Sequence, residues 1–372
     1  MAHLAFLLPD MRCGGAEQVA LSFIRNFLAS GHEVDLILLE AKGELLPLVP
    51  PKVRVIGLGV RRIRAAIGPL INYLRSERPD ALQALMWPLT SIAVVAHRLA
   101  RSRARLVICD HTMLSLQPTL GAGRGRRALA RASIRLTYPL ADARVIVSHG
   151  AADDLAEFGR IDRKSITVIA NPVSPPGSDC ASTPDIEAMW RQESSRIITV
   201  GALKSEKNHF LLLEAFALLP ATLEAKLMIV GDGELGPALK AHAKVLGVAD
   251  RVIFAGFTLD PRPYYASADL FVLSSDIEGY PLVLVEAMHA GLRIVSNRCQ
   301  SGPEEILAGG KYGTLVPPRN TRALAQAMTA ALSEPHDPES IKARALDLSK
   351  DSFDRYAEVM LGKDESIAAP AN

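Results

Sequence analysis

The chain has 372 residues, of which 49% are hydrophobic and 22% charged, with a formal net charge of +2. This length predicts two domains, and the composition is that of a globular protein with ample apolar core. The first ten residues lack a basic segment, and their apolar run is too short for a signal peptide or a membrane span, so we expect a cytoplasmic protein. The cysteines show no Cys-x-x-Cys spacing, which argues against a disulfide framework or a zinc site and favours a reducing compartment; they are Cys13, Cys109, Cys180 and Cys299.

The charge is divided unevenly along the chain. Residues 1–171 carry 23 basic and 14 acidic side chains, for a net charge of +9, whereas residues 172–372 carry 19 and 26, for −7. We favour an anionic partner for the amino half over a chance fluctuation between domains. Nucleic acid is the less favoured partner, because no binding module is recognisable and the carboxyl half is acidic.

The amino half alternates apolar runs with helical patterns, which predicts a doubly wound parallel sheet. The first strand leads into Arg12-Cys13-Gly14-Gly15-Ala16-Glu17 and then a helix over Gln18–Ser30. Glycines in that turn permit close approach of a ligand, but the turn is not Gly-x-Gly-x-x-Gly, which weighs against dinucleotide binding. The predicted strands are His3–Leu8, Glu33–Leu39, Val53–Leu58, Ala81–Met86, Arg105–Cys109, Arg144–Val147 and Ser165–Ile169.

Basic residues cluster at three places in this half. In the third cluster, apolar Leu129, Ile134 and Leu136 are interleaved with arginines on one predicted helix. This pattern favours docking on an anionic membrane surface, with a solvated helix face as the alternative. The clusters are Arg61, Arg62 and Arg64; Arg101, Arg103 and Arg105; and Arg124, Arg126 and Arg127 with Arg131 and Arg135.

The domain boundaries follow from turn chemistry. Asn171-Pro172-Val173 ends the amino domain, and the segment 173–194, rich in Pro and Ser, predicts a linker with a helix from about Asp185 to Gln192. The first domain is predicted over 1–172 and a second over 195–350, and residues 351–372 are predicted to contain a final helix and a disordered tail. In the second domain we expect strands at Arg196–Gly201, Lys226–Val230, Arg251–Ala255, Ala268–Ser274 and Arg293–Asn297, and helices at His209–Leu219 and Leu282–Ala290.

Two acids mark the segment around which the second domain is organised. Glu278 follows a buried strand, and Glu286 lies in the apolar helix that comes next. Ligands of parallel sheets bind at the carboxyl ends of the strands, and the start of a helix offers free N–H groups to an anion. Most glutamates at such a spacing are solvated, but an acid in so apolar a helix needs a hydrogen-bond partner, which ligand hydroxyls would provide.

The Glu-x7-Glu pattern, with Gly-Tyr-Pro after the first acid, resembles the signature of family-4 retaining glycosyltransferases. Further matches in chain order are Gly-Gly-Ala-Glu from Gly14, the strand-end His111, Asn-Pro-Val from Asn171, and Gly-x-Leu-x-x-x-Lys-Asn from Gly201. The resemblance covers most of the chain. It implies the GT-B fold, in which two Rossmann-like α/β domains with doubly wound parallel sheets face a deep cleft. It also implies that the final helix, within residues 351–372, crosses back to the first domain.

The resemblance also implies residue roles. Glu286 would bind the ribose hydroxyls, Glu278 and His111 would contact the transferred sugar, and Lys207 would neutralise the donor diphosphate. Many members carry Arg where this chain has Ala202, which leaves the leaving-group clamp weaker or substituted by Lys204 or Arg12. The remaining donor-binding positions implied are Gly14, Gly15, Gly231, Gly256, Gly279, Tyr280 and Leu282.

The resemblance predicts transfer of a hexosyl or N-acetylhexosaminyl group from a nucleotide-diphosphate sugar. A run close to Ser-Gly-Pro-x-Glu-Ile-Leu, from Ser301, resembles a subgroup that uses UDP-sugars on lipid-linked or cell-surface saccharides. We expect no cofactor, and no metal because Asp-x-Asp is absent from the chain. A peripheral location on the inner face of the cell membrane is consistent with such acceptors. The alternatives are a sugar-nucleotide epimerase of the same fold and a non-catalytic scaffold subunit, the latter favoured only by Ala202.

Overall fold

The computed structural model describes residues 1–117, 123–173, 181–190 and 195–362. Contacts between Cα atoms divide the chain into unit 1, Met1–Pro172 with Lys350–Asn372, and unit 2, Val173–Ser349. Much of the predicted linker (174–180 and 191–194) and the predicted tail from residue 363 onward lie outside the described residues. Within these ranges, every helix is too short or too polar to cross a membrane.

Unit 1 is built on a seven-stranded parallel sheet with the order β3-β2-β1-β4-β5-β6-β7. The central strands are buried along almost their whole length, as expected of a parallel sheet covered on both faces. The strands are β1 (His3–Leu8), β2 (Glu33–Leu38), β3 (Arg54–Gly57), β4 (Ala81–Leu85), β5 (Arg105–Asp110), β6 (Ala143–Ile146) and β7 (Thr167–Val168). The helices are α1 (Gly15–Ala29), α2 (Ile67–Ser76), α3 (Leu89–Ala100), α4 (Arg124–Thr137), α5 (His149–Gly159) and, from the end of the chain, α14 (Ser352–Leu361).

Unit 2 contains a six-stranded parallel sheet with the order β10-β9-β8-β11-β12-β13. Its strands are β8 (Arg196–Val200), β9 (Lys226–Val230), β10 (Val252–Gly256), β11 (Leu270–Leu273), β12 (Arg293–Asn297) and β13 (Thr314–Val316). Its helices are α6 (Pro184–Trp190), α7 (His209–Ala217), α8 (Gly236–Val245), α9 (Arg262–Ala266), α10 (Leu282–His289), α11 (Pro303–Ile306), α12 (Thr321–Ser333) and α13 (Pro338–Ser349).

The predicted strands are all present, with ends that differ by up to two residues. Helix α1 begins at Gly15 rather than at Gln18, because Gly14 is extended and acts as the N-cap residue. The first N–H groups of a helix have no partner within it, so the helical pattern of side chains does not reveal where the first turn starts. Gly15 therefore lies in the helix, and Gly14 alone ends the turn before it.

The last helix packs on unit 1. Tyr356 of α14 is buried, and its ring stacks on that of Phe23 in α1 with the centroids 3.8 Å apart. Arg105 Nε at the start of β5 donates to the Val359 carbonyl at 2.6 Å. The core of unit 1 is thus completed by residues that follow unit 2 in the chain.

Candidate functional site

The order of strands in unit 2 reverses between β8 and β11, which are neighbours in the sheet. The loop after β8 ends at Asn208, and the loop after β11 runs from Ser274 to Pro281. Both loops leave the carboxyl ends of parallel strands at this topological switch point, where open α/β sheets bind their ligands. The fold therefore brings together the two segments that carry Lys207 and Glu278.

Hydrogen bonds join these two loops. Asp276 N–H donates to the Glu206 carbonyl at 2.8 Å, and Ser274 Oγ donates to the Lys207 carbonyl at 2.8 Å. Asn208 has a positive φ of 46° and donates from Nδ2 to Asp276 Oδ1 at 3.1 Å, while its Oδ1 caps α7. The backbone on both sides of Lys207 is consequently fixed with respect to the segment that leads to Glu278.

Lys207 and Glu278 form an ion pair. Lys207 Nζ donates to Glu278 Oε1 at 2.6 Å, and the side chains are 26% and 8% exposed. A charge-assisted hydrogen bond of this length is stronger than one between neutral groups, and Glu278 is largely withdrawn from water. In this structure the lysine predicted to meet the donor diphosphate balances the acid predicted to meet the sugar.

The turn between Glu278 and α10 is supported from the end of β12. Ser301 Oγ donates to the Gly279 carbonyl at 3.1 Å. Gly302 has a φ of +87°, and a Cβ there would lie 2.7 Å from Pro281 Cδ and 3.0 Å from the Gly279 oxygen. Only glycine allows this close approach, so the segment after β12 holds the backbone that presents the first amides of α10.

Glu286 lies in α10 and is half-buried among apolar neighbours. Its Oε2 accepts a hydrogen bond from the Tyr265 hydroxyl of α9 at 2.9 Å. Burial raises the pKa of the Glu286 carboxyl, and the bond from Tyr265 opposes that rise. A carboxylate in such surroundings has unused acceptor capacity and few protein donors, which suits the hydroxyl pair of a ribose.

The predicted donor-binding glycines lie at the carboxyl ends of neighbouring strands. Gly231 follows β9 with a φ of +144°, and a Cβ on it would lie 2.0 Å from the Gly201 oxygen. Its N–H donates to the Gly256 carbonyl at 2.8 Å, and Gly256 has a φ of +79°. Close packing thus requires glycine at position 231 and the positive φ favours it at position 256, whether or not either residue contacts a ligand.

Two other predicted donor residues point to backbone rather than side-chain roles. Tyr280 is buried, and burial raises the pKa of its hydroxyl, which has no hydrogen-bond partner within the described part of the chain. Leu282 is the first residue of α10 and is 9% exposed. Both side chains are thus withdrawn into unit 2, and any contact with a donor is left to their amides.

In unit 1, the turn after β1 carries Gly14 and its neighbours. Arg12 Nε donates to the buried carboxylate of Asp10 at 2.8 Å. Burial alone would raise the pKa of Asp10, but the hydrogen bonds and the charge of Arg12 outweigh it and lower that pKa. A Cβ on Gly14 would lie 2.4 Å from Glu17 Oε2. The turn is therefore held by the bonds between Arg12 and Asp10, and the Glu17 carboxylate occupies the space that a side chain at position 14 would need.

His111 follows β5 in the same unit. Its Nε2 lies 3.5 Å from the buried Cys109 Sγ. Burial lowers the pKa of His111 to about 4, and a hydrogen bond with the Asn171 side chain opposes that shift. At neutral pH the imidazole is uncharged, so His111 is suited to hydrogen bonding a sugar hydroxyl and not to carrying a proton or a positive charge.

The predicted basic clusters are on the surface of unit 1. Arg61, Arg62 and Arg64 are exposed in the segment before α2, and Arg126 and Arg127 are exposed in the first turns of α4. Arg124 begins α4, but its side chain lies outside the described set.

Helix α4 presents both apolar and basic side chains to solvent. Leu129 and Leu136 are 70% and 71% exposed. Part of the positive charge packs on the protein itself, because the guanidinium groups of Arg127 and Arg131 lie 5.4 and 5.3 Å from the centroid of the Phe158 ring. Charge and apolar surface thus coincide on this helix.

Analysis of the sequence missed the residues that hold the site together. Tyr265 could not be recognised from sequence, because its partner Glu286 lies 21 residues further along the chain and tyrosines that precede a strand are commonly part of the core. Asp276 and Asn208 lie within the matched motifs, but the pattern does not reveal that they bond to each other. Across the described residues, no group of three or more His, Cys, Asp or Glu side chains is arranged to hold a metal ion.

Two family models match successive parts of the chain. The one described as Glycosyltransferase Family 4 matches residues 13–175, and the one described as Glycosyl transferases group 1 matches residues 187–347. Together they include the loops that carry Lys207 and Glu278 in unit 2, and the turn at Gly14 and the strand-end His111 in unit 1.

Similar proteins match the chain over nearly its whole length or over about half of it. A Campylobacter jejuni protein named N-acetylgalactosamine-N,N'-diacetylbacillosaminyl-diphospho-undecaprenol 4-alpha-N-acetylgalactosaminyltransferase is 26% identical, with 95% of this chain and 96% of that protein aligned. The lipopolysaccharide 1,6-galactosyltransferase of Salmonella typhimurium is 30% identical over 49% of this chain and 50% of its own.

Solved structures show the same fold. The lipopolysaccharide outer core galactosyltransferase WaaB superposes with a TM-score of 0.74 at 20% identity, covering 97% of this chain and 99% of its own. Anabaena HepE in complex with UDP gives a TM-score of 0.73 at 20% identity, covering 99% and 100%. The predicted fold class, with two parallel-sheet α/β domains, is confirmed.

Proposed function

The chain belongs to family 4 of the retaining glycosyltransferases with the GT-B fold, and we propose that its donor is a UDP-sugar and its acceptor a lipid-linked saccharide. The C. jejuni relative is named for transfer of N-acetylgalactosamine to a diphospho-undecaprenol saccharide, and the HepE structure contains UDP. These relatives support a hexosyl or N-acetylhexosaminyl donor and a role in the synthesis of cell-surface glycans.

The observation that carries the proposal is the placement of Lys207, Glu278 and Glu286 around one switch point. Lys207 and Glu278 are paired at 2.6 Å on adjacent loops, and Glu286 follows in the helix that starts there. A cation and free helix amides suit a diphosphate, and a carboxylate with unused lone pairs suits a ribose diol. These are the features that a nucleotide-diphosphate sugar requires.

In the proposed reaction, the bond between the anomeric carbon and the diphosphate breaks as a bond to the acceptor oxygen forms. The acceptor hydroxyl attacks on the face that the leaving group vacates, and its proton passes to a diphosphate oxygen, which gives retention of configuration. Lys207 and the amides of α10 stabilise the charge that develops on the diphosphate, which is generally the largest catalytic contribution. Glu278 orients the sugar.

Thermal unfolding with nucleotides tests the donor site first. A ligand at about one hundred times its dissociation constant stabilises the folded state by about 2.7 kcal/mol. We expect UDP to stabilise the wild-type protein more than GDP or ADP do, and Glu286→Ala to lose this effect. Glu304→Ala, which removes an exposed acid of α11, serves as the control.

Incubation of UDP-hexoses and UDP-N-acetylhexosamines with a polyprenyl diphosphate saccharide tests the transfer, with mass spectrometry of the lipid. Conversion of a UDP-sugar to its epimer without any acceptor would support the epimerase instead. Failure to bind any nucleotide would contradict the proposal and support the scaffold subunit.

We extend the proposal to contact with an anionic membrane through α4. Its exposed Leu129 and Leu136 lie near Arg126 and Arg127 in sequence and would insert between headgroups that the arginines attract. Cosedimentation with phosphatidylglycerol vesicles tests this contact. Because each basic residue contributes about 1 kcal/mol near such a surface, Arg126→Gln/Arg127→Gln is expected to weaken binding about thirtyfold. Leu346→Gln, at an exposed leucine of unit 2, should have no effect, and equal binding by the arginine variant would contradict the extension.

A further inference from the structure

We propose that Tyr265 is a positioning residue for the carboxylate of Glu286, a role that rests on the proposed binding of a ribose at that carboxylate. The Tyr265 hydroxyl donates to Glu286 Oε2 at 2.9 Å. The ring is 1% exposed and packs at a steep angle against Phe271 of β11, with the centroids 5.9 Å apart. The sheet therefore holds the phenol in place, and the phenol holds the acid on the neighbouring helix.

The two groups depend on each other because burial leaves them few alternatives. In the described part of the chain, the Tyr265 hydroxyl makes no hydrogen bond other than the one to Glu286. A buried phenol without an acceptor is costly, and so is a half-buried carboxylate among apolar neighbours without a donor. The bond between them is thus maintained in the free protein and is not formed only when a ligand arrives.

The same bond favours the ionised form of Glu286. Burial raises the pKa of the carboxyl, and the hydrogen bond from Tyr265 is the main influence that lowers it. The other charged groups that act on it are Asp260, which raises its pKa, and Arg262, which lowers it. These two are ion-paired with each other at 2.6 Å, so their effects on Glu286 largely offset one another. Tyr265 is therefore the main group that favours the charged form of the acid.

A vicinal diol needs a carboxylate that is both ionised and correctly turned. The bond from Tyr265 uses one lone pair of Oε2 and limits rotation of the carboxylate plane. Oε1 and the second lone pair of Oε2 stay available for the two ribose hydroxyls. Tyr265 would thus act on nucleotide affinity without touching the nucleotide.

The test compares Tyr265→Phe with Tyr264→Phe, which removes the hydroxyl of the half-buried neighbouring tyrosine. Isothermal titration calorimetry gives the dissociation constants of UDP and of 2′,3′-dideoxy-UDP for both variants and the wild type. We expect Tyr265→Phe to weaken UDP binding about tenfold and to leave binding of the dideoxynucleotide unchanged. The loss should grow as the pH falls, because the Glu286 carboxyl of the variant takes up a proton more readily. Tyr264→Phe should match the wild type with both nucleotides.

Equal affinity of Tyr265→Phe and the wild type for UDP would overturn the proposal. An equal loss for both nucleotides would also overturn it, because the damage would then not act through the ribose. A wild-type protein that binds neither nucleotide would instead overturn the proposed function, which separates the two failures. Tyr265→Met gives the same comparison if the phenylalanine variant does not fold.

Discussion

Replacement of Glu278 with glutamine is expected to tighten the binding of UDP while nearly abolishing transfer. In the free protein Lys207 Nζ donates to Glu278 Oε1 at 2.6 Å, so the carboxylate neutralises the lysine before a donor binds. Glutamine has a similar volume and offers an amide oxygen to the same ammonium group, but it has no charge. The full charge of Lys207 then acts on the diphosphate, and the repulsion between acid and diphosphate is removed.

The size of the effect follows from the burial of the pair. Two unit charges about 4 Å apart interact by about 4 kcal/mol at an effective dielectric constant of about 20. This is an upper limit, because Lys207 is 26% exposed and the diphosphate must also lose water. A third of the limit corresponds to about tenfold tighter binding of UDP. Turnover should fall about a hundredfold or more, because an amide does not replace the carboxylate that orients the sugar.

Calorimetry with UDP and product formation from a UDP-sugar measure the two quantities on the same preparation. Glu304→Gln is the matched control, because it makes the same charge change at a side chain that is 54% exposed in α11. Unchanged or weaker UDP binding by Glu278→Gln would refute the assignment of Lys207 to the diphosphate. Unchanged turnover would remove Glu278 from the reaction.

Ala202→Arg introduces the cation of the family pattern at a half-exposed position and should tighten UDP binding about fivefold. Ala221→Arg places the same cation at an exposed site of the same unit and should leave UDP binding unchanged. Calorimetry with UDP measures both dissociation constants. Burial lowers the pKa of His209 to about 4, below its value of about 6.5 in the unfolded chain. The unfolded chain therefore takes up a proton on this histidine before the folded protein does, and the free energy of unfolding falls as the pH is lowered from about 6.5 toward 4. Urea unfolding of His209→Gln should accordingly show a shallower loss of stability than the wild type between these pH values, and an equal loss would contradict this. Chelation of divalent metals with EDTA is expected to change turnover by less than about twofold; a larger loss, restored by added Mg²⁺ or Mn²⁺, would refute the predicted metal independence.

The fold could be predicted from the sequence because parallel strands buried on both faces are apolar throughout. Such runs stand out between helical patterns, and every predicted strand is present. The short strand β13 was missed, since Thr314–Val316 is too brief to show a pattern and is recognisable only by its pairing with β12. The start of α1 was placed too late for a related reason, as a glycine at the beginning of a helix has no side chain to mark it.

The residues of the candidate site could be predicted, but their contacts could not. Lys207 and Glu278 were found through separate motifs 71 residues apart. Their ion pair forms because β8 and β11 are neighbours in the sheet. The order of strands in a sheet cannot be predicted from the residues of each strand alone. The bond between Tyr265 and Glu286 is equally invisible in sequence, because it requires the packing of α9 on α10 to be known.

The two acids of the Glu-x7-Glu stretch have different environments, and the difference matches the chemistry expected at each. Glu278 is paired with a cation, so together they present no net charge where a diphosphate is expected, and a carboxylate is tolerated there. Glu286 is bonded to a neutral phenol, and burial raises its pKa, so it suits uncharged hydroxyl groups better than an anion. Exchanging the two environments would bring an unpaired carboxylate to the diphosphate and leave the diol beside an acid already occupied by a lysine. The two environments therefore support the proposed roles that the family pattern implies, with Glu286 at the ribose and Glu278 beside the transferred sugar, where its pairing with Lys207 makes a carboxylate next to the diphosphate tolerable.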